Sequence, residues 1–233
     1  MLYKLAPVKN VVAFDNAFAA LVSRPAGTPG LGLVYGFTGA GKTTAVHRRI
    51  VSSGAVYIRA MALWSPTRMC QTICRELGIQ PSGQPGEMVD RIITRMTDTG
   101  KALFIDEADY LLWKKPLIEC IRDLHDVSNV PIVLIGMTGI EIKVQKYAQL
   151  ERRFAQKIKF NPLDCADISL LAKTCCEAEL ADDLIEYLHA QLKGSMGLIM
   201  VNLPAIERVA QGLDQPCTVA DWLSTGKTLH LGA

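Results

Sequence analysis

The sequence has no apolar run approaching the roughly 20 residues needed to cross a bilayer, so a membrane-spanning helix is excluded and no membrane partner is expected. The N-terminus lacks a cationic segment followed by an apolar one, so no secretory leader is expected. Excess charge of either sign is also missing: 25 Lys and Arg face 23 Asp and Glu, a net charge of +2. Nucleic-acid binding through overall charge is thereby excluded, and any such contact must come from a local basic patch. No C-x-x-C pair occurs among the seven cysteines at positions 70, 74, 120, 165, 175, 176 and 217. Cys70 and Cys74 lie one helical turn apart, but no second Cys/His pair sits nearby to complete a metal site. They read as small core residues of a protein in a reducing cytoplasm. Internal repeats and low-complexity segments are absent. What is present is an ordinary globular composition, 49% hydrophobic and 21% charged, enough for one sizeable core and a small appendage.

The most informative stretch is Gly36-Phe37-Thr38-Gly39-Ala40-Gly41-Lys42-Thr43, with the spacing G-x-x-x-x-G-K-T. The apolar run Leu31–Tyr35 leads in and a helix-like stretch from Thr44 to Val51 leads out, which is the strand–loop–helix context of a phosphate-binding P-loop. Its glycines let several backbone N–H groups converge on one anion, and the helix N-terminus adds its positive end. Residues 36–44 are thus the expected nucleotide contacts. Lys42 is placed to reach the β- and γ-phosphates of ATP and the Thr43 hydroxyl to ligand Mg²⁺.

Periodicity predicts a helix over 11–23, a short strand at Ala55–Arg59, and helices over 66–77, from 87 to about 97, and over 116–126. Buried strands are predicted at Ala102–Ile105 and Pro131–Ile135, with a last one at Ile158–Phe160. Continuous apolar strands alternating with helices imply an α/β fold with a parallel sheet covered on both faces. After Pro162 the pattern is helical only: 168–179 behind a cap at Asp164, a helix around Ile185–Leu192, 198–209 either kinked at Pro204 or beginning a second piece there, and a short piece capped by Thr218. The expected domains are 1–162, a nucleotide-binding α/β domain, and 163–233, a small helical lid.

Asp106-Glu107 closes one buried strand. Ligand chemistry in a parallel sheet sits at the carboxyl ends of the strands. Asp106 is the expected Mg²⁺-side carboxylate, and Glu107 the group that orients and polarises the attacking water. Asp109 reads as a solvated turn residue. Thr138, after the strand Pro131–Ile135, is placed to sense the γ-phosphate or the water, with Met137 in an unusual position for such a sensor. One of Arg152 and Arg153 is the expected arginine supplied to a neighbouring subunit's phosphates. Residues 141–160 carry six cations against two carboxylates. Further candidate DNA contacts are Arg59, Trp64, Thr67 and Arg68 in the stretch after the second strand, and Lys114-Lys115.

Together these motifs resemble the AAA+ ATPases: the P-loop at 36–43, the acidic pair at 106–107, a polar residue at 138, an R-R-F box at 152–154 and a helical lid. That resemblance implies a five-stranded parallel sheet sandwiched by helices. The stretches F-I-D-E-A-D and L-E-R-R-F are similar to the branch containing the phage Mu transposition protein B and its transposon relatives. Membership would imply an ATP-dependent, sequence-nonspecific binder of double-stranded DNA. It would form homo-oligomeric helical filaments and deliver target DNA to a transposase in the host-cell cytoplasm. The resemblance also points to the loop around 59–68 for DNA. Only 35 residues precede the P-loop, so the DNA contact is expected in the ATPase body. Leu198 stands where many relatives carry a lid arginine, which implies slow hydrolysis. A helicase-loader or secretion-associated ATPase, and a non-hydrolysing ATP-bound scaffold, are the alternatives.

Overall fold

The computed structural model describes residues 5–232. In chain order it contains α1 (Lys9–Val22), β1 (Leu31–Gly36), α2 (Lys42–Ser53), β2 (Val56–Arg59), α3 (Pro66–Glu76), α4 (Pro85–Thr99) and β3 (Leu103–Asp106). A 3₁₀ turn (Ala108–Trp113) leads to α5 (Lys115–Ser128), β4 (Ile132–Met137), α6 (Ile140–Gln145), α7 (Ala148–Glu151) and β5 (Phe154–Phe160). The remainder is helical: α8 (Cys165–Cys175), α9 (Asp182–Leu192), α10 (Met196–Ala210) and α11 (Val219–Ser224).

The five strands form one sheet in the order β2-β3-β4-β1-β5, the expected parallel α/β architecture. Strands β3 and β4 read as unbroken apolar runs because both their faces are covered. On one face Leu33, Ile58, Ile105 and Leu134 share a core cluster with Met69 and Ile73 of α3, Met88 and Ile92 of α4, and Leu117 and Ile121 of α5. On the other, Phe104 meets Phe14 and Phe18 of α1 with ring centroids 6.4 and 5.2 Å apart. Each fully buried side chain of this size contributes about 1.5–3 kcal/mol.

Two compact units divide the chain. One joins Phe14–Gly36 to Lys42–Lys159 and holds the sheet. The other joins the described residues up to Ala13, the loop segment Phe37–Gly41, and the chain from Phe160 onward. Inside this second unit Asp164 caps α8, accepting from Asp167 N–H at 2.9 Å, and Asn10 bonds both ways with Asn161. Thr218 and Asp221 form a reciprocal capping box on α11. Buried Asn202 holds the chain near His230, accepting from its N–H at 2.8 Å and donating to its carbonyl at 2.9 Å.

Three expectations change. α10 runs through Pro204 in one piece, which removes the alternative of a second helix beginning there. α8 stops at Cys175, short of residue 179, because the chain beyond it pairs elsewhere: Cys217 N–H donates to Glu179 C=O at 3.0 Å and Ala181 N–H to Cys217 C=O at 2.9 Å. β5 begins at Phe154, four residues before the expected start, its outer positions exposed and polar like those of an edge strand.

His125, near the end of α5, is 4% exposed. One ring nitrogen lies 3.1 Å from Val130 C=O and the other 3.2 Å from Gly30 N–H, which fixes a neutral tautomer. Burial holds its pKa below the ordinary 6.5. The unfolded chain therefore binds the proton first. Stability from this site is complete above about pH 6.5 and falls as acid approaches the lowered folded-state value, by at most about 1.4 kcal/mol per pH unit. A His125→Asn variant should show a flatter Tm–pH curve below pH 6.5 in thermal scans; an unchanged slope would contradict this.

Candidate functional site

The sheet unit gathers its acidic and hydroxyl groups at the carboxyl ends of β1, β3 and β4. Lys42, the first residue of α2, is 8% exposed, and its Nζ donates to Gly36 C=O at 2.7 Å. Burial lowers its pKa, opposed by the nearby carboxylates of Asp106, Glu107 and Asp109. Thr43 Oγ1 donates to Asp106 Oδ2 at 3.0 Å. Tyr57 of β2 donates to the same oxygen at 3.0 Å, and burial beside Asp106 pushes its phenol up to about 12. Glu107 N–H donates to Asp106 Oδ1 at 2.8 Å. A hydroxyl and a carboxylate side by side make a hard-oxygen set that fits Mg²⁺ and suits no soft metal.

Glu107 sits at φ 54°, in the left-handed region, at a cost of about 1–3 kcal/mol that such positions carry where function requires them. That conformation turns the chain sharply between the end of β3 and the 3₁₀ turn. Its carboxylate meets Arg59 at 3.3 Å, so the end of β2 restrains the expected water-orienting group.

In the second unit, the loop tip Phe37–Gly41 packs with the start of α10. Gly39 and Gly41 have φ of 83° and 84°, which only glycine adopts at low cost. A Cβ on Gly39 would reach Ser195 Oγ, and one on Gly41 would run into Met196 Sδ. Gly197 N–H donates to Gly39 C=O at 2.8 Å. Ser195 caps α10, and Leu198 lies in its first turn. Thr38 and Thr44 are exposed and Ala40 is buried.

Several expected site residues stand differently from their sequence reading. Thr138 is exposed and donates its backbone N–H to Gly36 C=O at 3.2 Å. Met137, directly beside Gly36 in the β1–β4 register, is the residue whose side chain meets Lys42, with Sδ 4.0 Å from Nζ. Asp109 is no solvated turn residue: its Oδ2 accepts from Met137 N–H at 2.7 Å and its Oδ1 pairs with Lys143 at 3.1 Å. It braces the end of β4 against the 3₁₀ turn.

Arg152 and Arg153 differ sharply. Arg153 forks onto Asp126 at 2.7 and 2.5 Å and donates to Gln149 C=O at 2.6 Å. This contact holds the Asp126 carboxyl below the usual carboxylate range. Arg152 is exposed.

Among the candidate DNA contacts, Arg68 and Lys115 are exposed, Thr67 is half-buried in α3, and Arg59 is paired with Glu107. Trp64 is corrected, being 4% exposed within the core cluster and withdrawn from any base. Lys114 is half-buried, and its ammonium donates to Ala62 C=O at 3.1 Å and Trp64 C=O at 2.7 Å, clamping the post-β2 loop to the 3₁₀ turn. Reading the sequence missed Leu63 and Trp113, which are 94% and 75% exposed.

No helix among the described residues is long and apolar enough to cross a membrane. A family model described as an AAA domain matches residues 24–143. The Mu-like prophage FluMu DNA transposition protein B of Haemophilus influenzae is 27% identical over 156 residues, covering 61% of this chain and 53% of that protein. The chain thus spans about half the length of this curated relative. Among solved structures, the Aeropyrum pernix ORC2 protein in its ADPNP–ADP complexes superposes with a TM-score of 0.71 at 14% identity, covering 97% of this chain and 70% of that one. Pyrobaculum aerophilum CDC6P superposes at 0.63 with 15% identity, covering 88% of this chain and 62% of that one. A single-residue variant of Thermotoga maritima RuvB superposes at 0.59 with 16% identity, covering 93% and 66%. At these identities the structural likenesses speak to the fold. The family match takes in β1, the P-loop and the acidic end of β3, and on that span the chain belongs to the AAA domain family of P-loop nucleotide-binding proteins.

Proposed function

We propose that this chain is a Mg-ATP-dependent AAA+ ATPase that polymerises on double-stranded DNA without sequence preference and presents it to a transposase. The observation that carries the nucleotide half is the Thr43–Asp106 hydrogen bond with Glu107 beside it, at the carboxyl end of the sheet where Lys42 starts α2. Mg-ATP supplies the scissile phosphoanhydride and the charge that the residues must match. Loop amides, Lys42 and the α2 N-terminus bind the phosphates; Thr43 and Asp106 present oxygens to the cation; Glu107 orients water and receives its proton. Arg152 reaches a neighbouring subunit, while Arg153 holds the segment in place through Asp126. The relative named for DNA transposition supports the DNA and transposase half. A protein of this phage-like kind would work in the cytoplasm of a bacterial host.

Arg59 links the two halves, since it lies in the expected DNA-facing stretch and also pairs with Glu107. The candidate DNA-facing stretches of one subunit carry only a few cations, so affinity must come from many subunits engaging one duplex. A loader-type ATPase would use the same nucleotide site and is the first alternative. A non-hydrolysing scaffold is supported by Met137 standing beside Lys42.

Electron microscopy of the pure protein with duplex DNA tests the proposal. Continuous filaments are expected with a non-hydrolysable ATP analogue and bare duplex with ADP. Identical grids under both nucleotides would sink it. A stable complex with a replicative helicase and no filaments would favour the loader, and absent phosphate release with and without DNA the scaffold.

A further inference from the structure

Asp106 is 7% exposed, and both its oxygens are held by donors. Oδ1 takes the N–H of Glu107, the next residue, and Oδ2 takes the hydroxyls of Thr43 and Tyr57. The Tyr57 bond needs its own explanation. Arg59 faces Asp106 across the parallel β2–β3 pair, and Tyr57 lies two residues earlier on the same sheet face, so its phenol reaches along the strand to the carboxylate. Its ring packs against the His47 imidazole of α2, centroids 4.7 Å apart and tilted by 46°. α2 is also the helix that carries Lys42 and Thr43. One side chain therefore ties the carboxylate at the end of β3 to the helix bearing the hydroxyl partner.

We propose that Tyr57 is a positioning residue for the divalent cation, its hydroxyl fixing Asp106 so that carboxylate and Thr43 hydroxyl form a preset oxygen pair. The proposal rests on the Mg-nucleotide reading above. The terminal torsion of an aspartate is broad and close to two-fold, so an unrestrained Asp106 would sample orientations that turn Oδ2 away from Thr43. Outer hydrogen bonds of this kind are worth about 10–100-fold in metal affinity. A phenol that merely fills space would lose nothing when its oxygen is removed, because the ring and its His47 contact remain.

Tyr57→Phe isolates the oxygen. A fluorescent ATP analogue is titrated in EDTA and then at rising Mg²⁺, and Mn²⁺ binding is followed by its paramagnetic signal. The variant should need about 10-fold or more Mg²⁺ for half-maximal enhancement of nucleotide affinity and bind Mn²⁺ correspondingly more weakly. Its affinity in EDTA should match wild type, and its Tm should fall by no more than about a few degrees, the loss of one hydrogen bond. In an Asp106→Asn background the same change should have no further effect on metal dependence. An unaltered Mg²⁺ midpoint overturns the proposal, as does an equal loss in EDTA. If wild type itself shows no metal-dependent gain in nucleotide affinity, the Mg-nucleotide reading falls with it, a result distinct from a normal wild type and a normal variant.

Discussion

Replacing Arg152 with alanine should lower ATP turnover in assembled protein by about 10³-fold or more, the range an arginine acting on transferred phosphate supplies. Arg153→Ala should do something else. Arg153 holds Asp126 by a two-pronged ion pair and is about a third exposed, so its loss should cost about 1 kcal/mol of stability and reduce turnover only by loosening the segment. A mixing experiment separates action across subunits from action within one. Arg152→Ala subunits keep an intact nucleotide site, and Lys42→Ala subunits keep Arg152. Mixed, they should recover phosphate release that neither shows alone. Failure to recover it, or a larger loss from Arg153→Ala than from Arg152→Ala, would remove Arg152 from this role.

Glu107→Gln should cut turnover by about 10²–10⁴-fold while leaving ATP binding intact. Glutamine keeps the shape and loses the proton acceptor. The ion pair to Arg59 also goes, freeing that cation for phosphate contact. Binding without turnover should leave assemblies on DNA that persist after free ATP is removed, and sedimentation or light scattering over time reads this. Prompt disassembly with turnover near wild type would show that some other group orients the water.

What could be read from the sequence follows its range of interaction. The P-loop, Asp106-Glu107 and the three apolar strands are local signals, because the spacing, the turn chemistry and the strand length all lie within about ten residues. The fate of Trp64 was within reach by the same means. Ser65-Pro66 starts α3 with a side-chain cap, so Trp64 stands just outside it and Met69 four positions inside, the pattern of a hydrophobic staple. Both prove to be core residues. Other features depend on strand order, which no local pattern gives. Met137 meets Lys42 only because β4 lies directly beside β1. Asp109 reaches Met137 N–H, Lys114 spans 50 residues to Trp64, and Arg153 finds Asp126, each through the tertiary arrangement.

The sheet's outermost strands bear on how copies of this chain could associate. β2 is only four residues long. β5 turns Lys157 and Lys159 outward, with Lys157 paired to Glu151. A short strand at one margin and outward lysines at the other oppose the joining of sheets between molecules. Polymerisation here would therefore proceed by side-chain docking that nucleotide can undo, and not by the backbone zippering that makes amyloid permanent.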